Sequence, residues 1–444
     1  MGRRAVVARL SGRHLPAGPA ARVRRPAARA AGPHPLGGDR DVHLLERLHG
    51  RRGALGRAGR PRGARRAVRR LALFTLLATL AAAAPAGARA RWDTRVLALV
   101  PSPGFPALAY VHPNGRIYEG TYDNPAGDTV PSRVFEYTGD GALLRSWTVT
   151  GQTLSQAHGV QVATSDARGR LVLLDKSPAR ALLLDPRTGA QATYATFADL
   201  PGGQPPMPDY AAWGPDGSLY VTDYQQAVIW RVPPGGGDAK VWLSDPRLDG
   251  GMFGTAGIAL AADHRTLVVA QASSAGGGEP DPTTGKLYAV PIQPDGTPGT
   301  MRMLWESRPT DAPDGFAIAA SGRIYVALVG PAAQIAVVGP EGQELERFPQ
   351  APLTGDNGSP VPFDSPSSAM FLGTRLIVAN QSYERDDPSH QAILDVEAGE
   401  AGLAPLIPAD AGGAAPARPA PASRKHRRRH HRHHRRQRHR GHHR

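Results

Sequence analysis

Four residues with functional side chains, His158, Asp209, Asp314 and Ser367, stand at matching places in successive units of this 444-residue sequence. Each lies shortly before an apolar run, and the intervals between them are about 50 or about 100 residues. Two carboxylates in such a set either share a cation or, without one, raise each other's pKa toward the working range of a general base. The spacing therefore predicts one polar site built from several repeats, with His158 and Ser367 as ligand-binding residues beside the two acids.

A simpler interpretation stays open at this stage. Polar residues at the mouth of a channel within a protein are often simply hydrated and have no further role. A single histidine such as His158 is more often a hydrogen-bonded structural residue than a catalytic one. The elements that position these residues decide whether they converge at all.

The elements are short strands in a repeated unit: an apolar strand, a turn that holds glycine, a second strand and then two more. The second strands recur at intervals of about 50 residues, and their first residues read GRIY, GRLV, GSLY, RTLV, GRIY and TRLI. Such sheets of four antiparallel strands bury both faces only when they pack against neighbours in a ring. We therefore predict an all-β fold, a six-bladed β-propeller over residues 91–408, with Thr94–Val100 as the N-terminal strand that closes the ring. The alternative is a pair of β-sandwiches, which would need no fixed period.

Several of these units resemble the family that contains gluconolactonases, senescence marker protein and luciferin-regenerating enzyme. The likeness is carried by AYVHPNGRIYEGTYD, AAWGPDGSLYVTDYQQAVIWRV and PDGFAIAASGRIYVA, and it covers about residues 101–397. The motif Pro313-Asp314-Gly315 matches the family's P-D-G. The resemblance implies that Asp314 is a metal ligand and the candidate catalytic base. From its place two units away, Asp209 is the expected second ligand of a shared cation, for which Ca²⁺ is the most suitable. The same tripeptide is also good turn chemistry, and it recurs at Pro215 and Pro294.

The sequence departs from the family at two ligand positions. Where the family has P-N-G in the preceding blade, this chain has Thr255-Ala256-Gly257, and the family's first-blade glutamate aligns with Ala107. Alanine has no side-chain oxygen, so the metal site has few ligands. A looser likeness to the royal-jelly and yellow proteins, in GVQV and GRLVLLD of the second unit, points toward ligand binding and away from hydrolysis.

The basic charge of the chain belongs to its ends. The whole chain has a net charge of +15, residues 1–90 carry +17 and residues 418–444 carry +12, which leaves −14 on the predicted propeller. Nucleic-acid binding needs clustered lysines and arginines on a folded face, so no specific nucleic-acid partner is expected. The chain has no cysteine, which excludes disulfides and thiolate sites.

The N-terminal region has the form of a targeting sequence. Arginines between residues 65 and 70 precede the apolar run LALFTLLATLAAAA, and A-x-A patterns follow. We predict a signal peptide at 65–90, a secreted or extracytoplasmic protein with no transmembrane span in its mature form, and a mis-assigned or disordered extension at 1–64. The alternative is an uncleaved membrane anchor.

The C-terminal region, 409–444, is predicted to be a disordered Pro/Ala linker followed by a tail rich in arginine and histidine. It has few apolar residues from which to build a core. Its charge would attract an anionic cell-surface polymer in a salt-dependent manner. A low-complexity extension without a selected role is equally compatible with this composition.

Two functions follow from these patterns. The first is a secreted hydrolase in which a divalent cation at Asp314 assists cleavage of a lactone or ester, with a small molecule as substrate. The second is a monomeric, non-catalytic propeller that binds a small molecule or a protein partner. The body contains no G-x-S-x-G elbow, phosphate-binding loop or H-E-x-x-H pair. The sequence leaves open whether the protein is an enzyme.

Overall fold

The structure, a computed structural model, describes residues 89–102, 104–122, 129–201, 204–251, 253–272, 284–309, 311–383 and 385–413. The predicted extension and signal peptide lie outside this part of the chain except for residues 89 and 90, and so does the basic tail from residue 414 onward. No helix in these segments is long and apolar enough to cross a membrane.

The described residues form a six-bladed β-propeller, as the repeats predicted. Each blade is a sheet of four antiparallel strands, and blade 2 gains a short fifth strand that is parallel to its neighbour. Blade 6 is completed by the N-terminal strand β1 (Thr94–Leu99), which pairs with the last strand of the chain in the register Thr94 to Val396. The predicted closure of the ring is confirmed.

The strands of blades 1 to 3 follow in chain order. Blade 1 contains β2 (Tyr110–Val111), β3 (Ile117–Gly120), β4 (Arg133–Tyr137) and β5 (Leu143–Thr148). Blade 2 contains β6 (Val160–Ser165), β7 (Leu171–Lys176), β8 (Ala179–Leu184) and β9 (Gln191–Thr196). Blade 3 contains β10 (Pro208–Trp213), β11 (Leu219–Asp223), β12 (Val228–Val232) and β14 (Lys240–Ser244), while β13 (Gly237–Asp238) pairs with β9. A single 3₁₀ turn, Pro246–Leu248, leads into blade 4.

The strands of blades 4 to 6 continue in the same way. Blade 4 contains β15 (Thr255–Leu260), β16 (Thr266–Gln271), β17 (Thr284–Pro291) and β18 (Arg302–Pro309). Blade 5 contains β19 (Pro313–Ile318), β20 (Ile324–Leu328), β21 (Gln334–Val338) and β22 (Glu344–Phe348). Blade 6 contains β23 (Pro366–Leu372), β24 (Arg375–Asn380), β25 (Ala392–Glu397) and the clasp β1.

Burial within a blade follows its distance from the axis. The first two strands of blade 2 are buried along their whole length, whereas the outermost strands β5 and β9 are largely exposed. The outer strands therefore face solvent, while neighbouring blades cover both faces of the inner strands. Their hairpins use positive φ where the sequence offers glycine, as at Gly217 (76°) and Gly322 (83°).

A β-bulge interrupts the pairing near the start of the innermost strand in five of the six blades. In blade 3 the register shifts between Pro208 and Ala211, and in blade 5 it shifts between Pro313 and Phe316. Blades 1, 4 and 6 have the same irregularity, whereas the shift in blade 2 comes later, between Val162 and Thr164. Because a bulge leaves residues outside the ladder, it redirects the side chains at this place in the strand.

The chain after blade 6 crosses the other end of the channel. We call residues 399–413 the C-terminal strap. Leu403 donates its backbone N–H to the carbonyl of Ile318 in blade 5 (2.8 Å), and Arg168 of blade 2 binds the carbonyl of Gly413 (2.8 Å). Ala411 is almost fully buried. Blades 2 and 5 face each other across a six-membered ring, so the strap follows a diameter. The part of the chain that the structure describes includes residues 409–413, which lie beyond the boundary predicted at residue 408.

Candidate functional site

One residue of each blade stands at the same place in the innermost strand, at the channel end opposite the strap. The strand registers put Ala107, Gln161, Asp209, Ala256, Asp314 and Ser367 in this ring. The ring agrees with the sequence alignment in five blades. In blade 2 it holds Gln161 where the sequence predicted His158, because Gln161 follows the pair Val160–Asp175 as Asp209 follows the pair Pro208–Asp223.

Asp209 is held by donors from two other blades. Gln161 of blade 2 donates Nε2–H to its Oδ1 (2.6 Å), and the hydroxyl of Tyr122 from blade 1 donates to the same oxygen (3.3 Å). Burial raises the pKa of Asp209 to about 7, although the bonds from Gln161 and Tyr122 and the charge of Lys176 act in the opposite direction. This carboxyl group therefore titrates near neutral pH.

Asp314 lies two blades away at the equivalent bulge. It keeps partial contact with solvent, whereas Asp209 is only 5% exposed. Burial, and then repulsion by the charge of Asp209, raise the pKa of Asp314 well above its ordinary value. Two like charges that interact in this way disfavour joint ionisation. Both acids stand at the strand positions that the alignment of the repeats assigned to them, and their roles as ligands or catalytic groups stay predictions.

Tyr210, the residue after Asp209, closes the channel behind the acids. Its hydroxyl donates to the backbone carbonyl of Ser367 in blade 6 (2.9 Å), the blade opposite its own. A methyl group added to Gly315 would lie 2.6 Å from that hydroxyl oxygen, so the strands approach closely here. Tyr210 also interacts with the carboxyl of Asp314. The side chain of Tyr210 therefore spans the channel from blade 3 to blade 6.

His158 does not belong to the ring. Its Nε2 lies 2.8 Å from the carbonyl of Val130 and its Nδ1 lies 2.9 Å from the carbonyl of Gln156. Both contacts hold the imidazole against loop backbone. This matches the structural alternative that the sequence left open.

Ser367 is in the ring, but its hydroxyl is directed away from the acids. It donates to the carbonyl of Ala107 in blade 1 (2.8 Å). The side chain therefore ties blade 6 to blade 1, and only its backbone carbonyl, through Tyr210, reaches the neighbourhood of the acids.

A third acid lies behind the ring on β3. Glu119 is fully buried, and burial raises its pKa well above the ordinary value. Its Oε1 accepts the N–H of Gly120 (3.0 Å), while its Oε2 has no hydrogen-bond partner among the described residues. Sequence reasoning missed Glu119, Gln161 and Tyr210. The number of residues between the ring position and the hairpin glycine identifies Gln161. Tyr210 and Glu119 have no signal in the sequence except that Tyr210 follows the ring residue Asp209 and Glu119 precedes Gly120.

The donors present do not by themselves make a calcium site. Ca²⁺ takes six to eight oxygens, yet two of the ring positions are Ala107 and Ala256. In the segments that the structure describes, no three His, Cys, Asp or Glu side chains come together as metal ligands. Oδ1 of Asp209 already accepts two hydrogen bonds. The cation implied by the family resemblance therefore stays a prediction.

Aromatic side chains stand in front of Asp314. Phe253, which precedes blade 4, contacts Tyr224 of blade 3 at 6.1 Å and Tyr383 of blade 6 at 6.0 Å between ring centroids. Blade 5 lies between blades 4 and 6, so this contact passes across the acidic end of the channel. All three side chains are partly exposed.

Solved structures similar to this chain include the two kinds of enzyme that its motifs resemble. A gluconolactonase from Xanthomonas campestris is 14% identical, with 70% of this chain and 99% of that chain covered and a TM-score of 0.44. A luciferin-regenerating enzyme is 14% identical over 69% and 94% of the two chains, with a TM-score of 0.47. Virginiamycin B lyase from Staphylococcus aureus is 16% identical over 67% and 82%, with a TM-score of 0.44. No protein-family model and no curated protein sequence matches the chain.

Proposed function

We propose that this propeller hydrolyses a small ester or lactone at the acidic end of its channel, with Asp209 and Asp314 as an acid–base pair. One observation carries the proposal: two carboxyl groups from blades 3 and 5 occupy equivalent bulges, the pKa of Asp209 is raised to about 7 and the pKa of Asp314 is raised well above its ordinary value. Titratable pairs of this kind supply both a base and an acid at one pH.

The surroundings of the two acids suit different roles. Asp209, whose Oδ1 accepts hydrogen bonds from Gln161 and Tyr122, is the base. Asp314, whose pKa is raised by burial and by the charge of Asp209, is the acid. Asp209 takes a proton from water as the water oxygen bonds to the carbonyl carbon. The ester C–O bond then breaks, and the leaving oxygen takes the proton of Asp314. The products are a carboxylic acid and an alcohol, and a proton passes from Asp209 to Asp314 through solvent to restore the pair.

The surrounding residues position this chemistry. Tyr210 blocks the channel behind the acids, so water and substrate reach them only from the open face. The hydrogen bond from the Tyr210 hydroxyl to the Ser367 carbonyl holds in place the bulge that contains Asp209. The rings of Tyr224, Phe253 and Tyr383 provide an apolar surface beside Asp314, which suits an ester with a ring or short hydrocarbon group.

The test is hydrolysis of a panel of small lactones and esters by the full chain, followed by pH-stat titration. We expect Asp209→Asn and Asp314→Asn to lower kcat/KM by about 10² to 10⁴. Asp263→Asn, on an exposed hairpin of blade 4, is the matched control and should retain full activity. Activity should survive EDTA. Loss of activity in EDTA and its recovery on addition of Ca²⁺ would contradict a mechanism without metal. That result would support the cation implied by the family resemblance.

A second function is favoured by a specific observation. Two of the six ring positions are alanine, and the buried Asp209 is already satisfied by protein donors, which is typical of a site that only holds a molecule. A propeller that binds a small molecule without cleaving it would show no turnover of any ester in the panel. Such a protein would still bind a panel member, and Asp314→Asn would change the affinity.

A further inference from the structure

The channel continues on the other side of Tyr210 as a separate cavity of about 130 Å³. Its walls come from the later residues of the innermost strands, among them Ile258, Phe316 and Phe371, and its cover is Leu403–Leu406 of the strap. Tyr210 lines this cavity with its ring while its hydroxyl is tied to Ser367. The phenol therefore separates the cavity from the two acids.

The walls determine what the cavity can hold. Within the described part of the chain, the residues around it include no Asp, Glu, Lys, Arg or His, and the polar ones are serine, threonine and tyrosine. A charged molecule would lose its hydration there without gaining a partner. In another protein, an apolar cavity of about 150 Å³ stays dry and binds benzene. The size and lining thus fit one small uncharged ring or a short hydrocarbon chain.

The strap provides the entrance. It is fixed at one side by the bond from Leu403 to Ile318, and at the other by the bonds of Arg168 and Arg170 to Gly413 and Gly412. Between these anchors, residues 404–407 make no backbone hydrogen bonds to other described backbone groups. Ala404 and Pro405 line the cavity and are also exposed to solvent. One layer of weakly held chain therefore separates the cavity from solvent, and such segments open at low cost.

We propose that this cavity is a second ligand site, for a small uncharged aromatic or aliphatic molecule that enters beneath the C-terminal strap. The site lies on the far side of Tyr210 from the acid pair, so it is independent of the hydrolysis proposed above. Ala259 lines it and is only partly covered, which makes it the position at which a larger side chain would occupy the space.

The experiment is a titration of the full chain with fluorobenzene, observed by ¹⁹F NMR. The wild type should bind the probe, and Ala259→Leu should weaken binding at least tenfold by filling the cavity. Ala192→Leu, the same change on the exposed strand β9, should bind like the wild type. 4-Fluorobenzoate, which differs by a charge, should not bind.

A second variant keeps the test decisive if Ala259→Leu fails to fold. Leu403→Ala removes part of the cover and enlarges the cavity, so it should admit 1-fluoronaphthalene, which the wild type should exclude. Absence of fluorobenzene binding to the wild type would overturn the proposal. Equal binding by the wild type and a folded Ala259→Leu variant would also overturn it, because the probe would then be elsewhere.

Discussion

The hydroxyl of Tyr210 in blade 3 donates a hydrogen bond of 2.9 Å to the backbone carbonyl of Ser367 in blade 6, the opposite blade of the ring. A bond along the diameter of a propeller requires the channel to be narrow at that level. It also gives the channel two ends with different chemistry. The acids Asp209 and Asp314 lie on one side of the phenol, and an apolar cavity lies on the other.

Tyr210→Phe should lower the free energy of unfolding by about 1–3 kcal/mol, because the Ser367 carbonyl would lose its buried donor. Urea unfolding measures the change. Tyr137→Phe is the matched control, since the hydroxyl of Tyr137 is buried and has no hydrogen-bond partner among the described residues. Its removal should cost little or stabilise the protein. Equal losses in both variants would mean that the bond across the channel contributes nothing specific.

Removal of the clasp strand should open the ring. A chain that starts at residue 101 lacks β1, so β25 becomes an unpaired edge and Asp395 loses its ion pair with Arg89 (2.7 Å). We expect a broad, less cooperative thermal transition and self-association in light scattering. A chain that starts at Arg89 keeps these contacts and should melt in one sharp transition. If both truncated chains melt alike, closure by β1 is not needed for stability.

The hairpins made the fold predictable from the sequence, because the hairpin between the first two strands recurs once in each blade. The same hairpins also fix the site, and five of the six ring positions followed from them. The sixth is in blade 2, where the sequence predicted His158 and the count of residues back from the hairpin leads to Gln161. The bond from Tyr210 to Ser367 could not be predicted, since it joins residues 157 positions apart through the curvature of the ring. The strap could not be predicted either, because its Pro/Ala composition is typical of a linker.

Asp314→Asn should change how stability depends on pH. The pKa values of Asp209 and Asp314 are raised in the folded protein, so the folded chain keeps protons that the unfolded chain releases. The free energy of unfolding therefore falls as pH rises from the ordinary 3.8 of aspartate toward about 7. Asp314→Asn removes the charge that repels Asp209. The free energy of unfolding of the variant should therefore fall less between these two pH values than that of the wild type. Parallel curves for the two proteins in urea unfolding at a series of pH values would show that the acids do not interact.

Lys176→Met should move the titration of Asp209 upward. The ammonium group of Lys176 lies 4.4 Å from the ring centroid of Tyr122, and its charge lowers the pKa of Asp209. Without this charge, the base should ionise at a higher pH, and the acid limb of the pH–rate profile should shift in the same direction. Lys240→Met, on the exposed strand β14, is the control and should leave the profile unchanged. A shift toward lower pH would contradict the proposed surroundings of Asp209.

The pH dependence of kcat/KM for the best ester or lactone substrate tests the acid–base pair most directly. We predict a bell-shaped profile that rises as the pair loses its first proton near pH 7 and falls when the second is lost. Asp314→Asn should lack the fall at high pH and Asp209→Asn should lack the rise, each at a rate about 10² to 10⁴ below the wild type. A flat wild-type profile, or wild-type kcat/KM in both variants, would show that Asp209 and Asp314 do not perform the reaction.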